Sequence, residues 1–202
     1  MPKFKLDKRD SADARTRILD AAAKAFVAHG YSHTRLSEIA KIAGVSRSTL
    51  YENFPGKEQL LVAINHQVIA ESLAVARDTL HAGPSAAEAI RLWLRTSVLL
   101  TDRYRTLLKI MHSDEVQPSL LIDREATMQS ISDAQKWVRQ VLRRGIKSGE
   151  LRADISINRT AHSLQSIHYL LTKQAAADYP LFEFGADAGE LAIDLVIRGL
   201  QG

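Results

Sequence analysis

Between prolines at positions 2, 55, 84, 118 and 180, the chain repeats its apolar residues at three- and four-residue spacing. No segment alternates them with the period of two that a half-buried strand needs. The chain is therefore expected to be all-α. The spacing predicts helices over residues 36–42, 46–53, 57–82, 86–101, 103–112, 123–146, 156–177 and 187–200. They follow a first helix whose stripe is Ile18, Ala22, Ala25, Phe26 and His29 and whose stop is Gly30. The stretch Gly145 to Asp154 reads as a turn closing one long helix before the next. Helices this long, with broad apolar faces, must pack on one another or on a second copy.

Charge divides the chain more sharply than hydropathy does. Residues 1–60 hold 11 Lys/Arg against 7 Asp/Glu, while the remainder is balanced, so the whole formal charge of +4 lies in the first segment. A basic module joined to a neutral one suggests a polyanion partner for the first alone. With no cysteine, disulfides, thiolate metal sites and thiol redox sensing are excluded. The charged start lacks the apolar stretch of a signal peptide, and no run approaches ~18 consecutive apolar residues. A cytoplasmic protein with no membrane partner is expected.

Within the basic segment, Ala43 to Phe54 reads AGVSRSTLYENF and sets many hydrogen-bonding side chains on a small apolar anchor. Leu36, Ile39 and Ala40 form the inner face of one short helix, with Ile42 and Ala43 near its end. Gly44 supplies a tight turn, Val45 plugs the angle between helices and Ser46 is placed as an N-cap. Leu50 and Phe54, four apart, anchor a second short helix, which leaves Arg47, Ser48 and Tyr51 on its outer face. This is the plan of a helix-turn-helix, whose second helix offers its early residues to the major groove. The same spacing also fits an ordinary helical corner with a polar surface.

The surrounding residues decide between the two. Ala14 to Leu61 closely resembles the DNA-binding domain of the TetR family of bacterial transcriptional repressors. The likeness runs through Ile18, Leu19, Ala22 and Phe26, then Gly30-Tyr31, Thr34, Ile39-Ala40, Ala43-Gly44-Val45-Ser46, Thr49-Leu50-Tyr51, Phe54 and Lys57-Glu58. Arg35 stands where a second threonine is frequent, and Ser48 where glycine is frequent. The resemblance implies a DNA-binding domain over 1–60 and an effector-binding and dimerisation domain over 61–202. It implies phosphate contacts from Thr34, Tyr51, Asn53 and Lys57, and base contacts from Arg47, Ser48 and Thr49, with Arg35 and Ser46 beside them. Arginine suits guanine because it can make two parallel hydrogen bonds. The arm with Lys3, Lys5, Lys8 and Arg9 either touches phosphate or minor groove or is a disordered tail.

The second module is less legible. His112 to Ile155 is similar to family members that respond to acyl-CoA thioesters or related lipid and aromatic catabolites. Candidate pocket residues are Trp93, Tyr104, Met111, His112, Trp137, Gln165, His168 and Tyr169, each of which could equally pack a core. His112, Asp114 and Glu115 do not converge on one helix face, and His162 and His168 are six apart, so no metal or other cofactor is expected. In the family the last two helices, here near 156–177 and 187–200, form the dimer interface. Ile193, Val196, Ile197 and Leu200 make a stripe suited to that face, or to closing the monomer core. The expected protein is a homodimeric, ligand-responsive repressor bound to a palindromic operator in double-stranded DNA, without catalytic activity. A protein coating DNA without sequence preference and an enzyme on a helical bundle are the rival readings.

Overall fold

A computed structural model describes residues 8–111, 113, 124–176 and 186–201. The described residues are helical and contain no strand. The helices are α1 (Lys8–His29), α2 (Leu36–Ala43), α3 (Arg47–Asn53), α4 (Lys57–Ala82), α5 (Ala86–Arg103), α6 (Arg105–Met111), α7 (Arg124–Lys147), α8 (Ile157–Ala176) and α9 (Ala186–Gln201). Their contacts divide the chain into two units. One is Met1–Val68 with Lys109–Asp123, and the other is Ile69–Leu108 with Arg124–Gly202. The division falls inside α4.

In the first unit α1, α2 and α3 pack together. Ile18, Ala22 and Phe26 of α1, Ile39 and Ala40 of α2, and Leu50 with Phe54 bury almost completely. The α1 stripe ends earlier than its spacing suggests. His29 is exposed, with Nε2 3.0 Å from the Glu38 carboxylate. Ile42 is likewise exposed, because one hundred degrees per residue carries it off the face formed by Ile39, Ala40 and Ala43. Gly44 closes α2 at φ 64°, a left-handed conformation that costs glycine little, and its N–H bonds the Lys41 carbonyl.

The second unit is built around α5, which packs on α7, α8 and α9. Its core includes Leu80, Ile90, Trp93, Leu94, Val138, Leu142, Leu164, Ile193 and Ile197. By length and composition alone α4 could cross a membrane. Its residues Leu60, Leu61, Ile64, Val68, Ala76 and Leu80 instead bury against protein.

The turn after α7 organises this unit. Gly145 lies where an added Cβ would come within 2.6 Å of the Ala86 and Leu151 side chains, which therefore pack on its backbone more closely than any larger residue permits. That approach brings Glu150 to the start of α5, where its carboxylate accepts from the Ala86 and Ala87 N–H groups at 2.7 and 2.8 Å. It acts as an N-cap delivered from a distant segment. Burial pushes the Glu150 carboxyl up, but hydrogen bonds from Ala87, Ser85 and Ala86, with the Arg144 charge, outweigh it and hold the group below its ordinary value. Glu150→Ala is expected to destabilise the protein by about 0.5–2 kcal/mol at neutral pH. A carboxyl held low lends stability above its unfolded value, near pH 4.3, and loses it as the pH falls through the folded one. Urea melts of both proteins should therefore converge in acid, below about pH 4.

Of the two readings of the α9 stripe, its packing favours the second. Ile193, Ile197 and Leu200 are buried in the unit's own core and Val196 is partly buried against it, so this stripe closes the monomer and is not a free face. The exposed apolar side chains of α9 are Leu191 and Leu195, at 61% and 63%, and those of α8 are Tyr169 and Leu170. Gly199, four beyond Leu195, has open space above it.

Candidate nucleic-acid interface

The second short helix of the first unit begins at a built cap. Ser46 adopts an extended backbone, and its Oγ accepts from the Thr49 N–H at 3.0 Å, as its position at the turn suggests. The same oxygen lies 2.7 Å from Ser48 Oγ and 2.8 Å from Thr49 Oγ1, giving a chain of three hydroxyls at the head of α3. Arg47 is exposed beside them and makes no hydrogen bond or ion pair with other described residues. Tyr51, one turn on, is 54% exposed. Leu50 and Phe54, on the opposite face, are 1% exposed each.

The orientation of α3 is fixed at its far end by a residue the sequence did not single out. Arg15 of α1 lays its guanidinium 4.3 Å from the Phe54 ring centre and donates to the Asn53 carbonyl at 3.4 Å. The two partners are 38 residues apart in sequence, so no local pattern announces the contact. Asn53 also donates one side-chain N–H to the Thr49 carbonyl at 2.8 Å, which leaves its second amide N–H and its side-chain oxygen able to meet another molecule.

Two residues expected to donate to phosphate have other partners. Thr34 is 2% exposed, and its hydroxyl donates to the Gly30 carbonyl at 2.7 Å and lies 3.2 Å from that of Ala25. It ties the end of α1 to the approach of α2, which corrects the phosphate role assigned to its side chain. Helix α2 in fact starts after Arg35, whose side chain makes no cap. Lys57 reaches from the first turn of α4 to the carbonyls of Tyr31 and Ser32, at 2.9 and 3.1 Å, with its ammonium 4.7 Å from the Tyr31 ring centre. Two of its three donors thus staple the α1–α2 loop, and one remains.

These residues converge on a groove of about 680 Å³. Tyr31, Arg35, Ser37, Arg47, Tyr51 and Lys57 are on its walls, together with the start of α2. The first N–H groups of α2, uncapped by Arg35, add partial positive charge to the two guanidinium groups. The groove is thus suited to a chain of anions, and the face of α3 beside it to base edges.

The candidate pocket residues of the second unit separate into groups. Trp93 is buried and stacks on His168, with ring centres 4.8 Å apart and planes 8° from parallel. Gln165 lies one turn before His168 on α8, and Trp137 packs against the core. Tyr104 donates its hydroxyl to Glu71. Tyr169 is exposed and lies under Lys173, which removes it from an interior pocket. Met111 is buried and grouped with the first unit. His112, Asp114, Glu115, Lys3, Lys5 and the side chains of Lys8 and Arg9 lie outside the described residues.

The chain is similar to known proteins in sequence and in fold. Residues 18–64 match the family described as bacterial regulatory proteins, tetR family. The chain is 26% identical over 153 residues to the HTH-type transcriptional repressor KstR2 of Rhodococcus jostii, covering 75% of this chain and 74% of that one. Its fold is similar to a TetR/AcrR-family transcriptional regulator from Thermobifida fusca, with a TM-score of 0.73 at 23% identity over 93% of this chain and 98% of the other. It is also similar to FadR of Bacillus subtilis in complex with stearoyl-CoA, with a TM-score of 0.64 at 19% identity over 92% and 98%.

Proposed function

We propose how this chain, which belongs to the TetR family and is a DNA-binding transcriptional regulator rather than an enzyme, divides its work between its two units. A DNA-binding domain over residues 1–60, within the first unit, holds operator DNA. The exposed head of α3 carries the reading: Arg47, Ser48 and Thr49 meet base edges, while Arg35, Tyr51, Asn53 and the remaining donor of Lys57 meet phosphates. Ser46 sets the start of that helix, and Thr34 and Arg15 set its support. One α3 has seven residues, too few to specify a site alone. Two copies of the chain therefore bind the halves of a palindrome, spaced by one helical turn of ~34–36 Å or a multiple of it.

Regulators of this family bind operators, form dimers and respond to small-molecule effectors. In this chain the dimer forms through the outer faces of α8 and α9, at Tyr169, Leu170, Leu191 and Leu195. The second unit takes the effector, an acyl-CoA or another lipid or aromatic catabolite. The bound stearoyl-CoA of the similar FadR structure supports that class. Effector binding shifts α4, which has residues in both units, and so alters the spacing of the two α3 helices. It represses by occupying its operator in the cytoplasm, and the ligand releases it to the extent that the ligand prefers the DNA-incompetent arrangement. A coupling of ~1–3 kcal/mol would weaken operator binding about 5–150-fold.

Selection of oligonucleotides followed by footprinting tests this reading. Two symmetric half-sites are expected. A single asymmetric site, or uniform coverage without sequence preference, would overturn it. In the same assay Arg47→Ala should cost about 1–3 kcal/mol and relax preference at one position of each half-site. Lys57→Ala should weaken all sequences alike and lower the salt slope by roughly one unit. Uniform loss from both variants would remove Arg47 from the bases.

A further inference from the structure

We infer that the effector site of the second unit lies against the α5–α8 contact and takes an uncharged, flat molecule carrying a hydrogen-bond donor, such as a phenolic hydroxyl. This rests on the reading that the second unit binds a small-molecule effector, and it specifies the chemistry of that ligand.

The Trp93–His168 stack supplies the first observation, because two parallel rings held together offer edges and faces against which a flat apolar molecule can lie. The second is Gln165, whose Oε1 is buried and accepts no hydrogen bond. Buried acceptors are nearly always paired, since an unpaired one forfeits its hydration for nothing. An incoming N–H or O–H would repair that deficit, whereas a carboxylate or phosphate could not. The third observation is the face of α5 that begins at Trp93. Ser97 and Thr101 follow it at four-residue intervals, and both are buried. Their hydroxyl hydrogens already go to the carbonyls of Trp93 and Ser97, at 2.8 and 2.9 Å. Each oxygen therefore keeps only accepting capacity, so this lane also favours a donor.

His168 agrees in sign. Burial pulls its imidazolium down to about 4, so the ring is neutral at physiological pH and offers no positive charge to an anion. An anionic ligand would also have to surrender its hydration in the interior, which is costly without a cation. Ligands with a hydroxyl on an aromatic or alicyclic skeleton match the acceptors present.

Calorimetric titration of the full-length protein with 2-naphthol, 2-methoxynaphthalene and 2-naphthoate tests the inference, since the three share a ring system and differ in donor and charge. 2-Naphthol should bind about tenfold more tightly than its methyl ether, the worth of one buried neutral hydrogen bond. 2-Naphthoate should bind more weakly than 2-naphthol. Gln165→Leu should abolish the preference for 2-naphthol over the ether, and Gln165→Glu, which keeps an acceptor, should retain it; a thermal melt of each variant guards against misfolding. Equal binding of alcohol and ether, strongest binding by the naphthoate, a preference indifferent to Gln165→Leu, or no binding up to the solubility limit would overturn the proposal. A gel shift with the selected operator separates this from the wider reading. Gln165-dependent binding of 2-naphthol with unchanged operator affinity would uphold the site and sink ligand-responsive repression. Release of operator by stearoyl-CoA, without binding of 2-naphthol, would do the reverse.

Discussion

Replacing Leu191 and Leu195 together by glutamate is expected to yield a folded monomer whose affinity for a full palindrome falls about 10²–10⁴-fold, the loss of having two linked half-site contacts. Both leucines are more than half exposed on α9, so charges there meet water in the isolated chain and leave its core alone. In a dimer sealed by this face the same charges would be buried opposite their own copies, which is strongly unfavourable. Sedimentation velocity reports the mass, and a gel shift reports the affinity. A variant that remains dimeric would place the interface elsewhere. Ile193→Ala is the informative contrast. Ile193 is 2% exposed, so its truncation should cost about 2–5 kcal/mol of stability and leave assembly to follow the fold.

Phe54→Ala should be more damaging to the first unit than any change on its surface. The ring is 1% exposed, and it also receives the Arg15 guanidinium. Removing it leaves a cavity where α3 ends, at a cost of about 3–5 kcal/mol. DNA binding should disappear together with the protection of α1–α3 amides from hydrogen exchange. Arg15→Met is the milder companion, keeping a stem over the ring while deleting the charge. It should lower operator affinity through α3 orientation with the fold retained. If Phe54→Ala kept both amide protection and operator binding, the anchor of α3 would lie elsewhere.

The helix-turn-helix was legible because its signals are local. Gly44, Ser46, Leu50 and Phe54 sit within eleven positions, and each acts on its neighbours through backbone geometry, capping or a four-residue step. The face that α9 leaves exposed was not legible, because the helix carries two apolar stripes of similar quality. Leu191 and Leu195 repeat with the same step as Ile193, Ile197 and Leu200, and only packing against α5 decides which goes inside. Thr34 and Lys57 illustrate a different limit. Their residue types suit a phosphate, yet carbonyls left open at the end of α1 and in the following loop were nearer partners. Contacts such as Arg15 with Asn53, or Glu150 with Ala86, join segments 38 and 64 residues apart and are fixed by the fold as a whole.

The hydroxyl chain at the head of α3 has a consequence for how strictly an operator is read. Ser46 Oγ stands 2.7 Å from Ser48 Oγ and 2.8 Å from Thr49 Oγ1, and either member of each pair can be the donor. Rotating one hydrogen reverses the polarity of its neighbour, so Ser48 can face outward as donor or as acceptor without moving any heavy atom. Arg47 has no such freedom, since a guanidinium only donates. Where these residues face bases as proposed, a base opposite Ser48 could thus change from a purine acceptor to an amino donor at small cost, while the base opposite Arg47 could not. Drift in the operator would then accumulate at the first position and be resisted at the second, which would make one residue a source of tolerance and its neighbour the keeper of identity.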